Sequence, residues 1–326
     1  MSGTDQQRVY ASRRLTPAAA DHLRGSGVQF HHHDEPMFPP DRERLLAEAK
    51  GCSALVTMLT ERVDAELLDA AGSELRVVAN VAVGYDNVDL EAARERSVTV
   101  TNTPGVLDGA TADFTMALML AASRRLVEAD RMVRDGTAWH WGPTVLTGLD
   151  ISAGAVLGIV GLGRIGLAVA RRAHAFGMSL LASGGKVGSP EARALGVVPV
   201  ELGELLERAD VVSLHCPLTP ATRGMIGAAE LARMKPGAIL VNTARGPLVD
   251  EEALAHALGE GLIGGAALDV FAHEPSVPEA LRRLDNVVLA PHVASAGEAT
   301  RERMCDLAVR NVLAVLAGEP PLTPVT

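Results

Sequence analysis

The run Gly161-Leu162-Gly163-Arg164-Ile165-Gly166 has the residue types and spacing to cradle a dinucleotide. It follows the apolar stretch Val156–Val160 and opens a helical pattern over Leu167–Phe176. Alone, G-x-G-x-x-G says little; between a strand and a helix it is a strong signal. In that setting Gly161 permits the tight turn, Gly163 lets backbone approach a pyrophosphate, and Gly166 lets helix pack on strand. The helix N-terminus adds N–H donors and a partial positive charge. An Asp or Glu about 20 residues further on would bind the ribose 2′-hydroxyl of NAD. The next apolar run, Ser179–Ala182, leads instead into Ser183-Gly184-Gly185-Lys186, with no carboxylate. A carboxylate would repel a 2′-phosphate, whereas Ser183 and Lys186 could contact it. The expected cofactor is therefore NADP(H), with NAD(H) possible and a solvated Lys186 as the plain alternative.

A strand–helix alternation positions this turn. Its strands lie near Ala155–Val160, Ser179–Ala182, Val211–Leu214, Ile239–Asn242, Ala266–Leu268 and Val287–Ala290. Six such strands fit a doubly wound parallel sheet. An earlier alternation has strands near Arg8–Tyr10, Val28–Phe30, Ala54–Met58, Val77–Asn80 and Thr99–Thr101. Helical patterns such as Arg42–Ala49 and Leu90–Arg96 separate them, which again implies a parallel sheet. A long apolar helix is expected from Asp108, as N-cap, to Leu126, followed by an irregular stretch Gly136–Gly148. A final helix runs from Thr300 to Ala317.

Composition removes other classes. The chain has 326 residues, 48% hydrophobic and 21% charged, enough for about two domains. Its net charge of −10 argues against nucleic acid or an anionic membrane as partner. No apolar run reaches the roughly 18 residues of a membrane span, and Met1–Arg14 has no apolar signal core. Cys52, Cys216 and Cys305 form neither a disulfide framework nor a C-x-x-C metal pattern. A cytoplasmic, reducing setting is the expectation. His31-His32-His33 is read as a loop before Glu35-Pro36 rather than a metal site, because adjacent residues cannot easily chelate one ion. The paired arginines Arg124-Arg125 and Arg171-Arg172 are read as solvated helix faces.

Several ordered motifs resemble the D-isomer-specific 2-hydroxyacid dehydrogenases. They are Val81-Ala-Val-Gly-Tyr-Asp-Asn87, Thr101-Asn-Thr-Pro-Gly105, the glycine turn, Cys216-Pro217-Leu-Thr-Pro-Ala-Thr222, Met234–Gly246, Ala267-Leu-Asp-Val-Phe271 with His273-Glu-Pro275, and Pro291-His292. Within that family the chain looks most like the glyoxylate and hydroxypyruvate reductases. The resemblance implies an α/β fold in which a Rossmann cofactor domain, 104–292, is inserted into a smaller flavodoxin-like α/β substrate domain, 1–103 plus 293–326. The active site would lie in the cleft between them, with a hinge near Pro104 and Pro291.

The resemblance also implies a catalytic trio, Arg245, Glu274 and His292. Reduction of a 2-oxo acid needs a hydride at the carbonyl carbon and a proton at its oxygen. A histidine suits the proton transfer, and Glu274 beside it would favour the imidazolium. Arg245 offers a planar fork of donors to a carboxylate. Matching positions place Leu59, Val83 and Gly84 at the substrate. Thr243 and Ala244 would lie under the nicotinamide ribose, and Asp269 and Ser295 near the nicotinamide. Cys216, Pro217 and Thr222 would lie beside the cofactor, with Cys216 in a packing role rather than as a nucleophile. His273 is read as an exposed neighbour. The implied partners are a small anionic 2-oxo or 2-hydroxy acid and a second copy of the chain, a homodimer through the long helix and the arm carrying Trp139 and Trp141. A nucleotide-sensing corepressor-like protein and a dehydrogenase of phosphite or formate are the competing readings.

Overall fold

Runs such as Val77-Val-Ala-Asn80 and Ile239-Leu-Val-Asn242 are buried at every position. A strand without a polar face belongs in a parallel sheet covered on both sides by helices. The computed structural model describes residues 7–35 and 38–326. The first six residues of the polar N-terminal stretch, and Pro36, lie outside the described residues.

The chain forms two compact units, one holding the described residues up to Leu107 together with Ala296–Thr326, the other Asp108–Ser295. The resemblance implies crossings at 103/104 and 292/293. The first unit contains β1 (Arg8–Ala11), β2 (Gln29–His32), β3 (Ala54–Thr57), β4 (Val77–Asn80) and β5 (Thr99–Thr101). They form an all-parallel sheet of order β2-β1-β3-β4-β5, the flavodoxin-like order. Asp41, Asp64 and Asp89 each cap a helix by accepting a backbone N–H three residues on. His31 and His32 sit on edge strand β2, not in a loop. His31 is held there by Tyr10, with ring centroids 4.9 Å apart, and by Glu48 at 3.1 Å.

The second unit contains β6 (Val156–Leu162), β7 (Ser179–Gly185), β8 (Val198–Pro199), β9 (Val211–Leu214), β10 (Ile239–Asn242), β11 (Gly265–Leu268) and β12 (Val287–Leu289). Their order is β12-β11-β10-β9-β6-β7-β8, again all parallel, as a doubly wound Rossmann sheet requires. Seven strands stand where six were read; β8 is a two-residue edge strand ending at a proline. The strand order reverses between β6 and β9, where such sheets bind ligands at the strands' carboxyl ends. Two buried clusters flank this sheet, one around Leu205, Leu240 and Leu254, the other around Met119, Ile159 and Val169.

The long helix covers Asp108–Ser123 rather than reaching Leu126, and Asp108 is its first residue rather than its cap. Arg125 adopts a left-handed φ of 48°, which starts a separate helix, Leu126–Arg134. None of that helix is buried, and the stretch after it leaves Trp139 58% and Trp141 85% exposed. Among the described residues no helix is long and apolar enough to cross a membrane, and no cluster of three or more His, Cys, Asp or Glu could hold a metal.

Candidate active site

The glycine turn closes the end of β6. Gly161 has φ 93°, and a Cβ there would lie 2.6 Å from the Cys216 nitrogen, so no other residue fits. A Cβ on Gly166 would collide with the Gly161 carbonyl, which is how the helix packs this tightly on the strand. Gly163 is different: nothing lies within 4 Å of where its Cβ would be. That open side is what a phosphate needs to approach the backbone, and Gly163 caps the helix Arg164–Ala175. The arrangement therefore fits a dinucleotide pyrophosphate. The helix starts at Arg164, three residues earlier than its apolar pattern, so Arg164 and Ile165 lie in its first turn.

Strand β7 runs further than expected. Leu162 pairs with Gly185, so Ser183, Gly184 and Gly185 extend the strand instead of forming a loop. Gly184 and Gly185 have φ of 73° and 76°. The Lys186 N–H donates to the Leu162 carbonyl at 2.9 Å, and its side chain is exposed. Beyond β9, the Thr222 hydroxyl donates to the Pro217 carbonyl at 2.8 Å and accepts from the Thr219 N–H, closing that turn. Burial pushes the Cys216 thiol up, and its Sγ lies 3.6 Å from Met225 Sδ; a thiol so placed is no thiolate nucleophile. Burial pushes the neighbouring His215 down to about 4.

The ends of β10, β11 and β12 hold the remaining groups. Buried Asn242 donates to the Arg245 carbonyl at 2.9 Å and accepts from the Ala244 N–H at 3.0 Å. This folds Thr243-Ala244-Arg245 back on the strand end. The Thr243 hydroxyl lies 2.9 Å from that of Thr115 on the long helix. A Cβ on Gly246 would strike the Phe271 carbonyl, so the Arg245 turn is pressed against the exit of β11. There Glu274 accepts from the Phe271 N–H at 3.0 Å with one oxygen and lies 2.8 Å from His292 Nδ1 with the other. The two side chains are 26% and 23% exposed. His292 has a left-handed φ of 56°. Asp269, fully buried, secures that turn: its carbonyl accepts from His292 N–H at 2.7 Å and its carboxylate from Val293 and Ala294, each at 2.8 Å. Ser295 follows directly.

The second unit thus gathers Thr243, Ala244, Arg245, Asp269, Glu274, His292 and Ser295 at adjacent strand ends, on the same carboxyl edge as the glycine turn. His273 is exposed beside them. Leu59, Val83 and Gly84 belong to the first unit, after the neighbouring strands β3 and β4. Asn242 and Gly246 were not singled out from sequence. Their signals are a lone carboxamide closing an apolar strand and a glycine directly after Arg245.

Electrostatics separates the two acids. Burial alone would raise Glu274, but the His292 hydrogen bond and charge, the Phe271 N–H and the charge of Arg245 outweigh it and hold the carboxyl below its ordinary value. Asp269 goes the other way: burial holds it above the ordinary range despite its two N–H donors and His292.

Residues 116–294 match the family described as D-isomer specific 2-hydroxyacid dehydrogenase, NAD binding domain. The chain belongs to this family. The dehydrogenase is 52% identical over 287 residues to a glyoxylate reductase of Korarchaeum cryptofilum, an overlap of 87% of this chain and 85% of the relative. It superposes on the TT0316 protein of Thermus thermophilus with a TM-score of 0.91 at 48% identity, covering 98% and 100% of the two chains. An NADPH-dependent glyoxylate/hydroxypyruvate reductase from Sinorhizobium meliloti, solved with NADP and malonate, gives 0.82 at 35% identity, covering 99% and 97%. The dehydrogenase is accordingly an oxidoreductase that uses a nicotinamide cofactor.

The lowered carboxyl gives a signed expectation. Ionised Glu274 stabilises the fold above the ordinary value of 4.5, and this contribution fades as pH falls through the lower folded-state value. Glu274→Gln should therefore lose most stability, relative to wild type, near neutral pH, and the gap should narrow in acid. Urea unfolding at about pH 7 and about pH 3 measures both; a gap that does not change with pH would contradict an ionised Glu274.

Proposed function

We propose that this dehydrogenase reduces a small 2-oxo acid, of glyoxylate or hydroxypyruvate size, to the 2-hydroxy acid with NADPH. The observation that carries the reading is the His292–Glu274 pair at 2.8 Å, beside the Arg245 turn and on the same strand edge as the glycine turn. The names borne by the similar reductases support the substrate class.

Bound nicotinamide dinucleotide supplies or accepts the hydride. Gly161–Ile165 would hold its pyrophosphate, with Cys216, Pro217 and Thr222 alongside; Thr243, Ala244 and Ser295 would lie at the nicotinamide end, where buried Asp269, its carboxylate engaged by Val293 and Ala294, would act by supporting the His292 turn. Arg245 binds the acid's carboxylate and polarises its carbonyl through charged, forked donors. Leu59, Val83 and Gly84 bind the acid from the first unit. Glu274 occupies Nδ1 of His292, which leaves Nε2 free to hand a proton to the carbonyl oxygen. In the oxidative direction the same nitrogen takes the hydroxyl proton. Asp269 and Glu274 secure the ring's turn and its tautomer.

Preference for the 2′-phosphate rests on Ser183 and Lys186 and on the lack of a carboxylate in 179–186. A homodimer is the proposed assembly. The exposed apolar residues Leu126 and Val133 on the helix Leu126–Arg134, and Trp139 and Trp141 on the arm, support it, as such residues anchor interfaces.

His292→Ala should lower kcat by about 10²–10⁴-fold with the cofactor KM unchanged, and Arg245→Ala should raise the acid's KM as well. Turnover of glyoxylate and hydroxypyruvate followed by nicotinamide absorbance reads both, and near-normal rates would remove these residues from the chemistry. In the same assay KM for NADPH should lie well below that for NADH; the reverse order would overturn the cofactor preference. Sedimentation velocity should give a dimer, and a monomer at all concentrations would refute the arm's role.

A further inference from the structure

Three asparagines in the first unit are unused by the reaction outlined above, yet they bracket the residues assigned to the acid. Two turns follow neighbouring strands: Met58-Leu59-Thr60 after β3, and Val81–Gly84 after β4. Asn80, fully buried at the end of β4, donates to the Gly84 carbonyl at 3.1 Å and accepts from the Thr57 hydroxyl at 3.2 Å. Asn102 donates to the Val83 carbonyl at 2.8 Å. Both carbonyls of the Val83-Gly84 pair are thus drawn onto side-chain carboxamides. Among the described residues, the N–H groups of Val83 and Gly84 donate to no protein acceptor. A turn whose carbonyls are held and whose amides are left over offers its positive side to an anion.

Asn87 joins this turn to the other one. Its Nδ2 donates to the carbonyls of Met58 at 3.0 Å and Glu61 at 2.9 Å, and its Oδ1 accepts from Asn80 at 3.2 Å. Glu61, 3% exposed, completes the clamp by accepting from the Met58 N–H at 2.6 Å and the Thr60 hydroxyl at 2.6 Å. Leu59 is therefore fixed from both sides.

We propose that Asn80, Asn87 and Asn102 are positioning residues for the substrate: by holding the carbonyls of Val83, Gly84 and Met58 they aim the Val83 and Gly84 amides, and the Leu59 side chain, at the acid. This rests on the reading that these turns bind the acid. A buried network of this kind is rigid only when each member is satisfied, so removing one donor loosens the turn it holds. Misplacement of a binding group by about 1 Å can cost about 10²-fold.

The test uses the full chain with glyoxylate and hydroxypyruvate. Asn102→Ala and Asn87→Ala should each raise the acid's KM by roughly ten- to hundredfold. Cofactor KM should stay within twofold, and kcat should fall far less than KM rises. Asn102→Asp keeps the shape but presents only acceptors to the Val83 carbonyl, so it should be at least as impaired as alanine. Leu59→Ala serves as the direct probe of the turns. A shift in acid KM with Leu59→Ala but none with the asparagine variants would overturn the positioning role and leave the turns' assignment standing. No shift in any of the four would overturn the assignment itself, and the positioning role with it. A wild-type KM for Asn102→Asp alone would overturn the donor role of Asn102. Thermal unfolding of each variant separates these outcomes from loss of fold: a lowered Tm with both KM values unchanged marks a purely structural role and counts against the proposal.

Discussion

A carboxylate removed from water must be met by donors, and Asp269 meets that demand entirely with backbone. It has no exposed surface, and its oxygens take the N–H groups of Val293 and Ala294. Those two bonds, with the His292 N–H on its own carbonyl, hold a turn that places His292 at a φ of 56°. A non-glycine residue there costs about 1–3 kcal/mol and persists only when its surroundings over-determine it. The Asp269 N–H in turn donates to the Asn242 carbonyl at 2.9 Å, and Asn242 uses its side chain to fold back Ala244 and Arg245. One polar residue at the end of each of two adjacent strands thus sets the positions of an arginine and a histidine that lie 47 residues apart in sequence. Glu274 then needs only a short loop to reach the histidine.

This arrangement resolves the chain's charge balance. In the proposed reaction an acidic protein of net charge −10 takes up anions. The groups proposed to take them are few side-chain cations, Arg245 among them, and oriented backbone: the helix start after Gly163 and the Val83 and Gly84 amides after β4. Backbone donors carry no net charge and need no counter-ion, so the rest of the surface can remain acidic.

Much of this was legible beforehand because parallel strands announce themselves as apolar runs and their ends as polar or glycine residues. The two sheets, the glycine turn and the strand-end location of Arg245 and His292 all follow from that pattern. Where local patterning was a poor guide, the physical reasons differ. Strand β8 is two residues long and ends at a proline, too short for periodicity. The long helix stops at Ser123 because Arg125 turns left-handed, although Leu126 and Val127 continue the apolar pattern. His31 and His32 join an edge strand because their register partners in β1, Tyr10 and Ala11, lie far away in sequence, as does Glu48, which binds His31. Strand β7 continues through two glycines, residues that ordinarily end a strand, because the Leu162 backbone needs a close neighbour. The roles of Asn242 and Gly246 depend on which loop packs against the Arg245 turn, and no local pattern encodes that.

If the end of β7 reads the cofactor ribose, as proposed, its glycine pair limits how cofactor choice could be altered by design. Installing the acidic residue that favours an unphosphorylated ribose is an obvious route. At Gly185 a side chain would meet the Leu162 backbone at 2.7 Å in a left-handed conformation, and at Gly184 it would be strained by φ 73° even though the space is open. The accessible substitutions are therefore at Ser183 and Lys186, on either side of the pair. In the proposed cofactor reading, an acid can be added within this stretch without strain or collision at two positions only, and the bare backbone between them belongs to the strand it completes.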